Sequence, residues 1–334
     1  MMRNLWLCFL LGGTGLSLSA QKLNFFQYMV EQGIDTLEIT MRSEIILEQK
    51  FVDTLSRGDI QWRSNHQLNS VNAKFSLRGK YRRRICSFPP IKLDLDKDGL
   101  EDLGLKKHDE YKLVTHCSDH PEQETYVRKE FLAYKIQQIL LPYAYEVHYL
   151  TAVYRDSTGN IIATGPAILI ENDKDLEDRL DLKEMNAYDN GIPVDSSAIQ
   201  ANALFQMLIA NDDYDVLAGR NCKLFASPDF TYPVSYDFDF SGFVNADYAR
   251  VNPNVVMHRL QDHLYLGPSF NEKDWKKLTA TWLARQEQIE QLLDDETILP
   301  KRESNALRRY VKDFMRELKK SPPLRTNDIY FFDN

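Results

Sequence analysis

Long apolar runs are scarce in this chain of 334 residues. Beyond the first twenty residues, none approaches the roughly 20 consecutive apolar positions that a membrane-spanning helix needs, which excludes a helical transmembrane anchor there. Cysteine is scarce too, with four in all, and no two of them form a CxxC pair. His108, His116 and His120 lie near Cys117, and His116 and His120 have HxxxH spacing, but with no CxxC pair the pattern of a structural zinc site is incomplete. Basic charge is not in excess: 41 Lys and Arg against 49 Asp and Glu give a net charge of −8, which argues against general nucleic-acid affinity. No internal repeat, low-complexity tract or multi-glycine phosphate loop occurs. What remains, 43% hydrophobic, 27% charged and 11% aromatic residues, is the composition of a folded globular protein. The length suits one large two-lobed domain or two ordinary ones.

The first twenty residues stand apart. Arg3 opens a short positive region, Leu5 to Leu11 form an apolar core, and Leu16 to Ala20 give a small-residue exit before Gln21. The pattern predicts a secretory signal peptide over residues 1–20 and an exported chain, periplasmic or extracellular. Cys8 lacks the small residue that a lipoprotein box needs before its Cys. In an oxidising compartment Cys86, Cys117 and Cys222 allow one disulfide and one free thiol, and sequence does not choose the pair.

After residue 20 the first half reads as strands. Leu37 to Ile46 and the alternating Val71 to Leu77 come first, then Gly79 with Lys80, Arg82, Arg83 and Arg84. A glycine followed by cations lets backbone and charge close on phosphate, although a solvated turn has the same composition. Phe88 to Leu95 is a strand carrying Lys92. The acids Asp94, Asp96, Asp98 and Asp102 around Gly99 then imitate a calcium loop, whose twelfth position, Leu105, lacks the required acid. A polar turn into a short helix accounts for the segment without calcium. Tyr111 to Cys117 is a buried-type strand with Lys112. The stretch from Pro121 to Leu140 is a helix whose Glu130 lies beside the apolar face of Val127, Phe131 and Tyr134. Tyr145 to Tyr154 and Ile161 to Ile170 form a hairpin across the DSTGN turn. A helix capped by Ser196 or Ser197 runs to Ala210, and Asn271 caps a later one carrying Trp275, Leu278, Trp282, Ile289 and Leu293 as core.

Between these helices lies NDDYDVLAGRNCKLF, then PVSYDFDFSG. An Asp on a loop, an Asn some residues on and an Asp after a following strand is the order in which a phosphotransfer site supplies its parts. The first orients the hydroxyl nucleophile and the other two hold Mg²⁺. Here those residues are Asp213, Asn221 and Asp237, with Asp239 two further on. A strand Lys followed by a helix Glu, as in Lys112 and Glu130, is the pair that positions a phosphate clamp.

Taken in order, LRGKYRRRICSFPPIKLDL, YKLVTHC, RKEFLAYKI, NDDYDVLAGRNCKLF and PVSYDFDFSG resemble segments of the CotH-like secreted kinases, related to the spore-coat protein H, over roughly Ala73 to Val251. The resemblance implies an α+β, atypical protein-kinase-like two-lobed fold, with an N-terminal extension and β-rich N-lobe over residues 21–172 and a helical C-lobe over 173–334. It implies ATP with Mg²⁺ or Mn²⁺ as cofactors and an unidentified protein or small-molecule hydroxyl as substrate. Asp213 takes the catalytic position, and Asn221, Asp237 and Asp239 the metal positions. Gly79, Arg82, Arg83, Arg84, Glu130 and either Lys92 or Lys112 take the nucleotide positions. The chain departs from the family in its longer Asp to Asn interval and in having VVMHRLQDHLYLG, with Arg259, where an Arg-rich segment is common. A catalytically silent, kinase-like binding or structural module of the cell envelope is the alternative. A metal-dependent hydrolase using Asp212, Asp213, Asp237 and Asp239 lacks a histidine among its acids.

Overall fold

The structure is a computed structural model and describes residues 22–48, 50–52, 55–118, 120–185, 191–253, 258–295, 297–320 and 322. The expected signal peptide lies outside the described residues. The first described element, α1 (Phe25–Glu31), begins in a capping box: Gln27 N donates to Asn24 Oδ1 and Asn24 N to Gln27 Oε1. Its Phe25 packs edge-on against Trp62 and tilted against Tyr111. Next come β1 (Thr36–Met41), α2 (Ser43–Glu48), β2 (Ser56–Ser64) and β3 (Gln67–Leu77). The last two are joined by Asn65 and His66, both at positive φ, as a two-residue hairpin turn requires. The one-turn α3 (Arg82–Ile85), then β4 (Ile91–Leu95), α4 (Lys97–Asp102), β5 (Glu110–Thr115), α5 (Pro121–Leu140), β6 (Val147–Arg155) and β7 (Ile161–Ile170) complete this half.

The expected two-lobed, kinase-like fold with a β-rich N-lobe is not what forms. The strands close into a seven-stranded barrel in the order β1-β2-β3-β4-β5-β7-β6. The closure is β1, which pairs antiparallel with β2 on one side and parallel with β6 on the other, Thr36 opposite Thr151. A sheet whose two edges are bridged in this way has no open side to form a lobe boundary. The barrel is filled by Leu37, Ile60, Trp62, Phe75, Leu93, Tyr111, Leu169 and Tyr154, with Phe25 and Phe26 of α1.

The C-terminal halves of strands β5 and β7 are buried on both faces. Leu113, Ala167 and Leu169 point into the barrel, while Val114, Ile168 and Ile170 pack outside it against Val127, Phe131 and Tyr134 of α5. This explains the unbroken apolar run AILI at the end of β7. The outer core continues through α6 (Asp173–Leu180), β8 (Lys183–Met185), α7 (Ser196–Leu208), β9 (Cys222–Ala226), β10 (Thr231–Ser235), α8 (Glu272–Ala284), α9 (Gln286–Leu293) and α10 (Lys301–Leu318). The second half is therefore not purely helical, since β10-β9-β8 form their own three-stranded sheet.

Local expectations shift in three places. Residues from Ser43 form the helix α2 instead of extending the first strand. The N-cap of α7 is Asp195, which accepts from Ala198 N, in place of Ser196 or Ser197. The long helix expected after Asn271 divides at Arg285, where the backbone closes α8 and reopens as α9. Among the described residues, no helix is long and apolar enough to cross a membrane.

Candidate functional site

A cleft of about 450 Å³ opens where the turn after β3 meets the loops before β9 and after β10. Gly79, Lys80, Tyr81 and Arg82 form one wall; Asp212, Asp213, Arg220 and Asn221 another; Asp237, Asp239, Phe240 and residues Arg250 to Pro253 the rest. The basic wall starts at Gly79, whose φ of 71° makes the turn that a side-chain-bearing residue resists. Its carbonyl accepts from Arg83 N and starts α3, which places Arg82 inward and fully buried. Arg82 Nη2 meets Asp237 Oδ1 at 3.0 Å, and Nε lies 3.3 Å from Asp239 Oδ2.

The three arginines do not act together. Arg83 turns away to donate to the carbonyls of Lys50 (2.6 Å) and Val52 (3.0 Å), and Arg84 faces solvent. Adjacent residues on a single helical turn point in different directions, so one inward Arg82 sends its neighbours out. The disulfide Cys86–Cys117 ties the end of α3 to the segment after β5, and Cys222 is a buried free thiol.

On the acidic side, α7 ends at Ile209, Ala210 takes a positive φ, and Asn211 Oδ1 accepts from Asp213 N at 3.1 Å. Asn221, also at positive φ, donates its amide to Asp213 Oδ2 (3.0 Å) and to the Asp213 carbonyl (2.7 Å). Its Oδ1 accepts no hydrogen bond among the described residues. Arg220 Nε stands 3.5 Å from Asp213 Oδ1. Asp237 follows β10 at φ 65°, its N–H donating to the Tyr134 hydroxyl at 2.8 Å. Non-glycine residues at positive φ are uncommon, and both candidate ligands Asn221 and Asp237 hold that conformation.

Charge around the buried Arg82 is unbalanced. Burial, with repulsion from Asp237, pushes the Asp239 carboxyl up to about 6 against the pull of Arg82. Burial likewise pushes Glu130 well above the carboxylate range; Arg82 opposes the shift, and Asp239 and Asp237 add to it. Burial also raises Asp212 and Asp213, with Arg220 opposing at Asp213. Burial works against the Arg82 charge, but Asp239, Tyr248, Asp237 and Glu130 together hold it firmly protonated. One buried cation thus faces three acids, and Asp239 Oδ2 and Glu130 Oε1 accept no hydrogen bond.

The expected Lys112 to Glu130 pair does not form. The β5–β7 register sets Lys112 opposite Ile170, close to Asp173 at the start of α6, and its Nζ lies 3.7 Å from that carboxylate. Glu130 instead has Arg82 as its buried cation. Lys92, beside Lys112 across β4–β5, pairs with Glu110 at 2.8 Å. Neither lysine lines the cleft.

The calcium-like acids do not converge. Asp96 caps α4 through Gly99 N, Asp94 pairs with Lys74 and Asp98 with Lys107. His108 pairs with Asp175, and His116 stacks on Phe88, so neither joins Cys117 in a metal set. Among the described residues, no three His, Cys, Asp or Glu side chains form a metal-holding group by themselves. Sequence reasoning missed Arg220, Tyr134 and Tyr248 as members of the site. Tyr134 was accessible through its spacing, four residues after Glu130 on one face of α5; Arg220 directly precedes Asn221. In comparisons with known proteins, no family model and no curated protein matches the chain.

Proposed function

We propose that the cleft binds ATP with Mg²⁺ or Mn²⁺ and transfers the terminal phosphoryl group to a hydroxyl of a protein or small molecule. The observation that carries this reading is convergence: Gly79 and Arg82, Asp213 and Asn221, and Asp237 and Asp239 come from three separate segments to one cleft. Two carboxylates and an amide oxygen are too few to enclose a cation. They suit Mg²⁺, which takes one or two protein carboxylates and fills its shell with phosphate oxygens and water. Asn221 Oδ1, which accepts no hydrogen bond among the described residues, and the Asp237 and Asp239 carboxylates, both paired with Arg82, are the groups that would hold it. Bound there, the cation would neutralise charge on the transferred group.

Asp213 is the residue to orient the acceptor hydroxyl and take its proton, since burial has raised its affinity for protons while Asn221 and Arg220 fix its carboxyl. Arg82 would supply fixed positive charge to the phosphates. The reading keeps the chemistry of the CotH-like motifs and gives up the fold that came with the resemblance. The signal peptide expected at residues 1–20 and the Cys86–Cys117 disulfide support an exported protein.

A specific observation favours a second reading, a silent nucleotide-free binding module: Arg82 already contacts both Asp237 and Asp239, as an internal counter-ion would. Measuring ADP formation by the purified mature chain with ATP and Mn²⁺ separates the two. Phosphotransfer predicts turnover that Asp213→Asn lowers by about 10²-fold or more without loss of nucleotide binding. Turnover at the level of the Asp213→Asn variant would leave the binding module.

A further inference from the structure

Away from the cleft, a cavity of about 550 Å³ lies between the last turns of α5 and the junction of α8 with α9. Lys135, Gln138 and Ile139 of α5, Arg285 at the junction, and Gln288 and Leu292 of α9 line it, and none of them lines the cleft. The lining holds two cations, two amides and two aliphatic side chains, and no carboxylate. Helical spacing builds it: Lys135, Gln138 and Ile139 share one face of α5 at i, i+3 and i+4, and Gln288 and Leu292 share one face of α9 at i and i+4.

We propose that this cavity binds a small organic phosphate ester, its phosphate held between Lys135 and Arg285 and its carbon chain laid against Ile139 and Leu292. Lys135 is half-buried and makes no ion pair or hydrogen bond among the described residues. Burial lowers its pKa with Glu146 opposing, and Glu146 stands 3.7 Å from Arg179. The ammonium therefore carries a desolvation cost that a bound anion relieves. Arg285 donates through Nη1 to the Ile139 carbonyl at the end of α5, which fixes its guanidinium plane, and its Nε and Nη2 have no partner among the described residues. A guanidinium anchored in this way presents its remaining N–H fork to phosphate.

A phosphate monoester carries close to two negative charges at neutral pH, which matches the two cations of a lining without acids. The acids of α9 are engaged elsewhere: Glu290 accepts from Gln286 Nε2 at 2.7 Å and Glu287 from Gln291 Nε2 at 3.3 Å. A cavity of several hundred Å³ has the volume of sites that enclose small organic ligands. Ile139 and Leu292 give an ester's carbons a surface that inorganic phosphate does not use.

The inference does not depend on phosphotransfer, and its test contains neither ATP nor metal. The folded mature chain, in buffer with a chelator, is titrated calorimetrically with hexyl phosphate, inorganic phosphate and hexanoate. Hexyl phosphate should bind at least about tenfold more tightly than either of the others, since one lacks the carbon chain and the other the second negative charge. Lys135→Met and Arg285→Gln should each weaken hexyl phosphate by about tenfold or more, the loss of one charge-assisted contact. Lys135→Met keeps the aliphatic stem at a half-buried position without a partner, so it retains the fold. On the wild-type chain, hexyl phosphate should slow acetylation of Lys135 by acetic anhydride and leave the exposed Lys277 unaffected. Absence of hexyl phosphate binding, equal affinity for inorganic phosphate, undiminished affinity in Lys135→Met, or unslowed acetylation of Lys135 would each overturn the proposal.

Discussion

Arg82 is the residue on which the cleft depends. It is buried, contacts Asp237 and Asp239 directly, and its charge acts on the buried Glu130. Removing one partner of a buried ion network leaves the others uncompensated, so Arg82→Met should destabilise the chain by about 3–5 kcal/mol in urea unfolding. Arg82→Lys should recover little, because a single ammonium does not reproduce two divergent guanidinium contacts. Asp237 is different: its side chain is one-third exposed and shares Arg82 with Asp239. Asp237→Asn should change stability by less than about 1 kcal/mol in metal-free buffer, since mutual repulsion among the acids falls as one contact is weakened.

Asp239 gives the pH dependence its sign. Its carboxyl rises from the ordinary 3.8 to about 6 on folding, so between those values the native chain holds more protons than the unfolded one. Its contribution therefore lowers stability as pH rises through that window. Asp239→Asn should flatten the slope of urea midpoint against pH over that range relative to wild type. An unchanged slope would show that Asp239 ionises normally.

At the scale of elements, the disulfide is what holds the basic wall in place. Cys86 directly follows α3, and its bridge to Cys117 spans 31 residues. A closed loop of that length is worth about 3–4 kcal/mol in the chain-entropy account. The double variant Cys86→Ala, Cys117→Ala should lose stability on that order in thermal or urea unfolding, and lose part of any nucleotide affinity with it.

Which elements were legible follows from how local their signals are. Helix α5 and strand β7 fall on their expected ends, Pro121 to Leu140 and Ile161 to Ile170, because each is periodic or continuously apolar and bounded by turn residues. Barrel closure was not legible: Thr36 meets Thr151 across more than a hundred residues, and nothing in the alternation of β1 names β6 as its partner. The same limit governed the site. The loop acids and the Gly79 turn were readable from their own composition. That Lys112 pairs with Asp173 while Glu130 feels the charge of Arg82 depends on strand register, which one sequence does not record.

For the whole molecule, the important fact is a shared core. Val114, Ile168 and Ile170 on the outside of the barrel pack with Leu204 and Phe205 of α7 and with Trp282, Ile289 and Val311 of the last helices. A boundary at residues 172 and 173 would cut through that core. Residues 21–172 expressed alone should therefore show weak near-ultraviolet circular dichroism and no sharp thermal transition, because the outer faces of β5 and β7 would be exposed. A cooperative transition from that fragment would establish the barrel as an independent domain.

The most direct measurement of the central claim is the melting temperature of the mature chain with ATP, with Mg²⁺ or Mn²⁺, and with both. A ligand that binds only the folded form raises stability by about 2.7 kcal/mol at a hundred times its dissociation constant. Metal and nucleotide together should raise the melting temperature of the wild type by several degrees, while neither alone does so and Asp237→Asn shows no rise. An equal rise with nucleotide in the presence of a chelator, or none with any pair, would contradict a metal-dependent nucleotide site in this cleft.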